Sequence, residues 1–322
     1  MRQAEQGKMQ IILHLGAQRS ATTTFQHYMR RHADRLGALG VGFWGPGRLR
    51  EAGLFQGLYA GPSGRVSAAA VAAAKPRIAA ALALAGARGV RWLVISDENM
   101  LGSVKGNIRH RALYPDCATR LQGFAEALGC PVDKVLLGLR PLPDYWTSAL
   151  AYGVKRGCEV PSEAVRHEIS TSERSWRDVI CDISTVMPEA QIEVHRFADF
   201  AGAPDARLAA LIGSYQQPPR ASAAVRKNEA PDLAALRASL AERGVPSGGL
   251  PKSEGRWQPF TQDQIAALAE RHSDDIFWCA AGASGLAKLI ERKTLEDVGI
   301  NPLPAARRGY TYDQARRMGQ AS

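Results

Sequence analysis

Hydroxyl-bearing residues cluster directly after the first apolar segment of the chain. Four of the five residues at 11–15 are apolar and indicate a short buried strand. The residues after it read GAQRSATTT, so Ser20, Thr22 and Thr23 offer hydroxyls where a helix would begin. A strand, a small-residue turn and a helix start form an anion site, because the unpaired N–H groups of the first helical turn point at whatever lies in front of them. The segment predicts a loop that binds phosphate or sulfate.

The usual nucleoside-triphosphate loop is a poor match to this segment. A Walker A loop reads G-x-x-x-x-G-K-[ST]. Counted from Gly16, that spacing places Ala21 at the second glycine, Thr22 at the lysine and Thr23 at the hydroxyl residue. The lysine that would reach the β- and γ-phosphates is therefore missing, and Arg19 supplies a cation instead. From this segment alone, a strand–turn–helix junction without a ligand stays open.

Two further polar clusters follow predicted strands. A strand at 92–95 is followed by Ser-Asp-Glu-Asn at 96–99, and a strand at 132–139 is followed by polar residues within 140–148. Ligands of parallel α/β sheets bind beyond the carboxyl ends of the strands. We therefore expect both clusters to lie at one rim of the sheet with the loop at 16–24.

Strand-like and helix-like segments alternate along the chain. Strands are predicted at 11–15, 92–95, 132–139 and 192–197, and helices at 120–128, 141–156, 176–187, 232–243 and 261–272. This alternation implies parallel crossovers, so the predicted fold class is α/β, with three layers in which helices flank a central, mostly parallel sheet. We expect one domain over 1–305 and a basic C-terminal tail over 306–322.

Two segments between these elements are ambiguous. Residues 37–64 are dense in glycine and hold four aromatic residues, which is typical either of a substrate lid or of a surface loop with buried anchors. The alanine-rich segment 67–87 predicts one helix or two, divided at Pro76, because proline disrupts a helix interior. Since Lys75 and Arg77 also interrupt it, we expect no transmembrane segment.

Composition narrows the ligand class without identifying it. The 322 residues carry a formal net charge of +10 and a pI near 9.6, which favours anionic ligands. The basic residues are dispersed, without repeated aromatic and basic patterning, so we expect no nucleic-acid partner. Five scattered cysteines without a C-x-x-C pair predict a reducing, cytoplasmic location. The histidines are dispersed too, and no metal site is predicted.

The loop resembles the phosphosulfate-binding loop of sulfotransferases that use 3′-phosphoadenosine-5′-phosphosulfate (PAPS). That loop typically reads Pro-(Lys/Arg)-Ser-Gly-Thr-Thr. The matching residues, with the flanking threonine, are Gln18, Arg19, Ser20, Ala21, Thr22, Thr23 and Thr24. Gln18 departs from the proline and Ala21 from the glycine. Ala21 is tolerable if its φ stays negative, because a side chain could otherwise crowd the approach of the backbone to phosphate.

A second pair of residues supports the same resemblance. The family holds the donor's 3′-phosphate with an arginine at a strand end and a serine eight residues later, and Arg140 and Ser148 have this spacing. Arginine suits the role because its planar fork makes two charge-assisted bonds to phosphate. Arg226 and Lys227 are similar to a basic loop that closes over the same phosphate, although a solvated loop is an equal alternative.

The resemblance implies a P-loop-like sulfotransferase fold and a function. PAPS would donate a sulfuryl group to a hydroxyl or amine of a carbohydrate, a lipid-linked sugar or a small molecule, leaving adenosine 3′,5′-bisphosphate, without a metal. Arg19 would stabilise the developing charge, and Glu98 would be the general base, with Asp97 as second choice. The alternative is that these carboxylates cap the following turn or pair with a donor-site arginine. A P-loop kinase or NTPase and a non-catalytic nucleotide-binding protein remain open, as do the acceptor and the oligomeric state.

Overall fold

The central element is a six-stranded, all-parallel sheet. The structure is a computed structural model that describes residues 8–59, 65–213, 217–221 and 230–292. The strand order is β2-β3-β1-β4-β5-β6, and the strands are β1 (Gln10–His14), β2 (Val41–Trp44), β3 (Trp92–Ser96), β4 (Lys134–Leu139), β5 (Gln191–Arg196) and β6 (Ala287–Leu289). The predicted α/β class with a parallel central sheet is confirmed.

Helices connect the strands. Those in the described part of the chain are α1 (Thr22–Arg31), α2 (Ala33–Ala38), α3 (Ala68–Ala87), α4 (Val104–His110), α5 (Cys117–Leu128), α6 (Leu142–Lys155), α7 (Glu163–Thr171), α8 (Trp176–Val186), α9 (Phe197–Phe200), α10 (Pro204–Ile212), α11 (Leu233–Glu242) and α12 (Gln262–Ala280). The described residues up to Glu291 belong to one compact unit. The predicted basic tail, 306–322, lies outside the described residues.

Apolar cores cover both faces of the sheet. Successive side chains of a strand point to opposite faces. In β1, Ile11 and Leu13 belong to a large core that includes residues of α3, α5, α6 and α8. Ile12 between them belongs to a second core with residues of α1, α2 and α10. The protein therefore has three layers, with the sheet in the middle, as the alternation of elements predicts.

The predicted strands correspond to β1, β3, β4 and β5. The three-residue edge strand β6 was missed, and so was β2. It lies inside the segment 37–64, which was expected to be a loop or lid. Its four residues, VGFW, include a glycine and form an edge strand, so the periodic signal is too short to recognise. Trp44 and Phe55 are buried in the core, which favours the interpretation of this segment as anchored. A π-helical turn follows at Gly47–Glu51.

Helix α3 runs through Pro76 without a break, so of the two alternatives for this segment the single helix is the one observed. Its buried residues recur at helical spacing and pack against the core that includes α5: Val71, Ala74, Ile78, Ala81 and Ala85. Arg77 Nη1 donates to the carbonyl of Ala73, 3.0 Å away, which gives a carbonyl in the turn before the proline a side-chain partner. By length and composition, α3 is apolar enough to cross a membrane, but the core helix of a globular domain has the same composition.

Candidate functional site

The three polar clusters meet at the carboxyl edge of the sheet. A cleft of about 930 Å³, called the first cleft below, opens beyond β1, β3 and β4. The loop after β1, the turn after β3 and the start of α6 all line it, as the positions of the strand ends predict. Its charged lining comprises six basic and three acidic side chains: Arg19, Arg50, Lys105, Arg140, Arg156, Arg256, Glu98, Asp144 and Asp232. The surplus of positive charge favours an anionic ligand.

The loop after β1 has a backbone shape that explains part of its sequence. A Cβ at Gly16 would lie 2.5 Å from Thr22 Oγ1 and 2.9 Å from His14 Cε1, so only glycine fits there. Thr22 Oγ1 donates to the Gly16 carbonyl, 3.1 Å away. Arg19 and Ala21 both adopt left-handed conformations, with φ of 68° and 59°. Ala21 is therefore not in the negative-φ conformation in which a side chain at this position was expected to be tolerable.

Gln18, which stands where the phosphosulfate-binding loop typically has proline, holds the loop in place through hydrogen bonds. Its backbone N–H donates to the hydroxyl of Tyr114, 3.0 Å away, and that hydroxyl donates in turn to Gln18 Oε1. Gln18 Nε2 donates to the carbonyl of Gly102, 2.7 Å away. A proline could make neither the backbone bond nor the side-chain bonds. The departure therefore has a structural role in this chain.

Arg19, Ser148 and Arg140 join the two predicted motifs. Arg19 Nε donates to Ser148 Oγ across 2.8 Å, and Arg140 Nη1 donates to the Arg19 carbonyl. Arg19 lies over the ring of Tyr152 and Arg140 over that of Phe197, with guanidinium carbons 5.3 Å and 5.1 Å from the ring centroids. Burial lowers the pKa of Arg19, and burial, opposed by Asp144, lowers that of Arg140 to about 10. Both remain cationic at neutral pH.

The hydroxyl residues of the loop divide into two groups. Thr22, Thr23 and Thr24 line the first cleft together with Ala21. Ser20 does not line it, and its buried hydroxyl has no hydrogen-bond partner among the described residues. A direct contact between Ser20 Oγ and a ligand in the first cleft would therefore need a local movement of the loop.

Glu98 lines the first cleft and is held on two sides. Gln26 Nε2 donates to Glu98 Oε2 across 3.1 Å, and Arg50 Nη2 lies 4.0 Å from Oε1. Burial, and then the neighbouring Asp97, raise the pKa of Glu98 above its ordinary value. Asp97 itself is fully buried, where it accepts from Tyr59 and pairs with Arg50. A raised pKa and access to the cleft suit Glu98, rather than Asp97, to take up a proton.

Several residues of the first cleft were not singled out from the sequence. Tyr152 and Arg156 follow Ser148 at four-residue intervals on and just after α6, so helical spacing could have placed them on its face. Arg50 and Arg256 had no such signal, because one lies in the missed segment after β2 and the other far along the chain. Arg226 and Lys227 lie outside the described residues.

A buried arginine, Arg207, lies beside the buried His14 at the end of β1. His14 is buried, as expected for a core histidine, and its Nδ1 lies 2.8 Å from Ser96 Oγ. Arg207 Nη1 lies 3.4 Å from the other ring nitrogen. Burial, and then Arg207, lower the pKa of His14 well below its ordinary value, and they lower that of His195 to about 3. Both histidines are therefore neutral in the folded protein.

The first cleft is large enough for a small-molecule ligand, and one cationic donor near it has no partner in the described part of the chain. Its volume lies within the range of small-molecule and cofactor sites. Arg140 Nε is buried without a partner among the described residues, so it is a donor that an oxygen acceptor would satisfy. The described residues contain no group of three or more histidine, cysteine or carboxylate side chains placed to hold a metal ion.

No protein-family model, curated protein or solved structure matches the chain. The geometry of the first cleft and the resemblance of its two motifs are therefore the basis for assigning a function.

Proposed function

We propose that this protein is a PAPS-dependent sulfotransferase of P-loop-like fold that acts on a hydroxyl or amine. One observation carries the proposal: the loop at 18–24 and the pair Arg140 and Ser148 border the same cleft and are bonded to each other through Arg19. β1 and β4 are adjacent parallel strands, so their carboxyl ends meet through the topology of the sheet. The support for the proposal is that the residue types brought together there suit the two ends of the donor.

The binding role of each motif follows from its chemistry. The N-terminus of α1, with Thr22, Thr23 and Thr24 at the wall of the first cleft, would bind the phosphosulfate end of the donor. Arg140 would bind the 3′-phosphate through its fork, and charge-assisted bonds of this kind contribute about 1.5–3 kcal/mol each. Ser148 Oγ accepts from Arg19 and can rotate its own proton toward the same phosphate.

The reaction needs a base and a stabilised leaving group. PAPS supplies an activated sulfuryl group, whose bond to the phosphate oxygen breaks as a bond to the acceptor oxygen forms. Glu98 would take the acceptor's proton. Arg19 and the helix N-terminus would stabilise the negative charge on the departing phosphate oxygen, by analogy with phosphoryl transfer. Atoms and charge balance without a redox step.

A kinase or NTPase is the main competing function. The position of its lysine is occupied by Thr22, whose hydroxyl donates to the loop's own backbone. That position therefore offers no cation to β- and γ-phosphates. A nucleotide-binding protein without catalysis would have the same cleft but would transfer no sulfate.

A thermal-shift comparison separates these functions. We expect adenosine 3′,5′-bisphosphate to raise the melting temperature without added metal, because a ligand that binds only the folded state stabilises it. The result that would overturn the proposal is no shift at millimolar bisphosphate. A Mg²⁺-dependent shift with ATP alone would favour a kinase. Transfer of ³⁵S from labelled PAPS to a pool of acceptors would then exclude the non-catalytic alternative.

A further inference from the structure

A second cleft, of about 710 Å³, opens beside the first. The two have four lining residues in common, Arg50, Asn99, Ser103 and Lys105, so they are adjacent. The turn that carries Glu98 lies at their junction. Glu98 itself lines only the first cleft, but its chain neighbour Asn99 and Arg50, whose Nη2 lies 4.0 Å from Glu98 Oε1, line both clefts.

Part of the wall between the clefts is a hydrogen-bonded pair. Gln18 lines the first cleft and Tyr114 lines the second. The Tyr114 hydroxyl accepts from the Gln18 backbone N–H and donates to Gln18 Oε1. Tyr114 is itself fixed because its backbone N–H donates to Asn107 Oδ1, 3.1 Å away. The partition is rigid, so each side presents a defined surface.

The second cleft is strongly basic. Its lining includes five basic side chains, Arg50, Lys105, Arg109, His110 and Arg120, against one carboxylate, Asp116. Arg50 already pairs with Asp97 at 3.2 Å. Within the described part of the chain, no carboxylate lies within ion-pair distance of Lys105, Arg109 or Arg120. Lys105 and Arg109 therefore have no carboxylate partner in that part of the chain, whereas Arg120 interacts electrostatically with Asp116 at a longer distance. The second cleft keeps a surplus of positive charge, which attracts anions.

Arg120 adds a specific donor to this charge. Its Nη2 donates to the carbonyl of Asn99, 2.9 Å away, which fixes the guanidinium at the wall. Its Nε is buried and has no partner among the described residues. Buried donors are rarely left without an acceptor. A carboxylate or phosphate oxygen would supply one.

We propose that the second cleft binds the acceptor and that this acceptor is an anionic hydroxyl compound. Its carboxylate or phosphate would contact Lys105, Arg109 and Arg120, and its reacting hydroxyl would reach Glu98. This inference rests on the proposed function, and it adds the substrate class. The acceptor oxygen forms the new bond to sulfur, its proton passes to Glu98, and the bond to the donor's phosphate oxygen breaks.

Matched neutral and anionic compounds test this directly. The probes are glucose against glucuronic acid and glucose 6-phosphate, and glycerol against glycerol 3-phosphate. Their dissociation constants are measured by NMR titration with the first cleft saturated by adenosine 3′,5′-bisphosphate. We expect at least one anion of each set to bind at least 10-fold more tightly than its neutral partner, and the preference to weaken with added salt.

Two variants connect any preference to the second cleft. Arg109 lines the second cleft but not the first, and it is exposed, so Arg109→Glu should leave the fold and bisphosphate binding intact. It should reduce the anion preference below 3-fold. Arg30→Glu makes the same charge change at an exposed position of α1 that lines neither cleft, and it should keep the preference.

The outcomes distinguish the two proposals. Bisphosphate binding without any anion preference, or a preference that persists in Arg109→Glu, would overturn the anionic acceptor alone. Failure of the bisphosphate to bind would overturn the proposed function and, with it, the assignment of the second cleft to an acceptor.

Discussion

Arg19 Nε lies 2.8 Å from Ser148 Oγ, so one hydrogen bond joins the loop after β1 to the helix after β4. Ser148 is fully buried and sits on a helix whose neighbouring turns are also buried, which makes it a rigid acceptor. The bond holds the guanidinium of the loop's only arginine against α6.

Replacing the proposed base should abolish turnover while leaving the donor bound. Glu98→Gln keeps the size of the side chain and can still accept from Gln26. We expect kcat to fall about 10²–10⁴-fold, the usual contribution of a general base. The dissociation constant of adenosine 3′,5′-bisphosphate, measured by calorimetry, should change less than about 3-fold, because removing a base need not weaken donor binding. Glu126→Gln, at an exposed carboxylate of α5 that lines neither cleft, is the control.

The pH dependence of the same reaction gives an independent readout. A base acts only when deprotonated, and the pKa of Glu98 is raised by burial and by Asp97. The rate should therefore increase as pH rises through a value above the ordinary glutamate pKa. Wild-type turnover by the Glu98→Gln variant, with an unchanged acid limb, would show that the base lies elsewhere.

The left-handed backbone at Ala21 makes a prediction about stability. A non-glycine residue in this conformation costs about 1–2 kcal/mol. Glycine avoids that cost, but its greater freedom in the unfolded chain cancels part of the gain. Ala21→Gly should therefore raise the free energy of unfolding by about 0.5–1 kcal/mol, measured by urea denaturation.

A nearby alanine provides the control for this change. Ala17 lies in the same loop but is buried and does not adopt a positive φ. Ala17→Gly should lower the free energy of unfolding by about 0.5–1 kcal/mol or more. If both variants are destabilised alike, the backbone at Ala21 carries no such strain.

Stability should fall as the solution is acidified. In the unfolded chain histidine titrates near 6.5, whereas burial and Arg207 keep His14 and His195 neutral well below that value. The unfolded chain therefore binds more protons below about pH 6.5, so acid favours unfolding. Each such histidine should contribute about 1.4 kcal/mol per pH unit, until the pH reaches its folded-state pKa, about 3 for His195.

Urea denaturation at pH 7, 6 and 5 measures this slope. His195→Gln should reduce the slope by the contribution of one histidine, which is at most about 1.4 kcal/mol per pH unit. His167→Gln, at an exposed position of α7, controls for the loss of an imidazole as such. Equal slopes in the wild type and in His195→Gln would contradict the neutral, buried state assigned to His195.

The sequence predicts the sheet rim well because that rim depends on local patterns. Strands β1, β3 and β4 are apolar runs followed by polar clusters, so the meeting of Arg19, Glu98 and Arg140 at one edge could be anticipated from parallel topology. The spacing of Ser148 from Arg140 is also local, since both flank the start of α6.

The contacts that depend on tertiary structure could not be anticipated. Arg50 reaches Asp97 only because the short edge strand β2 and the π-helical turn return the chain to the rim. Arg256 pairs with Asp144 across a long separation in sequence, at 3.0 Å. The positive φ at Ala21 could not be predicted from the sequence either. Alanine ordinarily avoids the left-handed region, and tertiary contacts override that preference here.

Calorimetric titration with two nucleotides tests the central claim most directly. Adenosine 3′,5′-bisphosphate and 5′-AMP differ only in the 3′-phosphate assigned to Arg140. We expect the wild type to prefer the bisphosphate, and Arg140→Ala to weaken bisphosphate binding about 10–150-fold, the equivalent of 1.5–3 kcal/mol. Binding of 5′-AMP should change little, which also shows that the variant is folded. Arg30→Ala is the control for loss of one positive charge. Equal affinity of the wild type for both nucleotides, or no bisphosphate binding at millimolar concentration, would contradict the account.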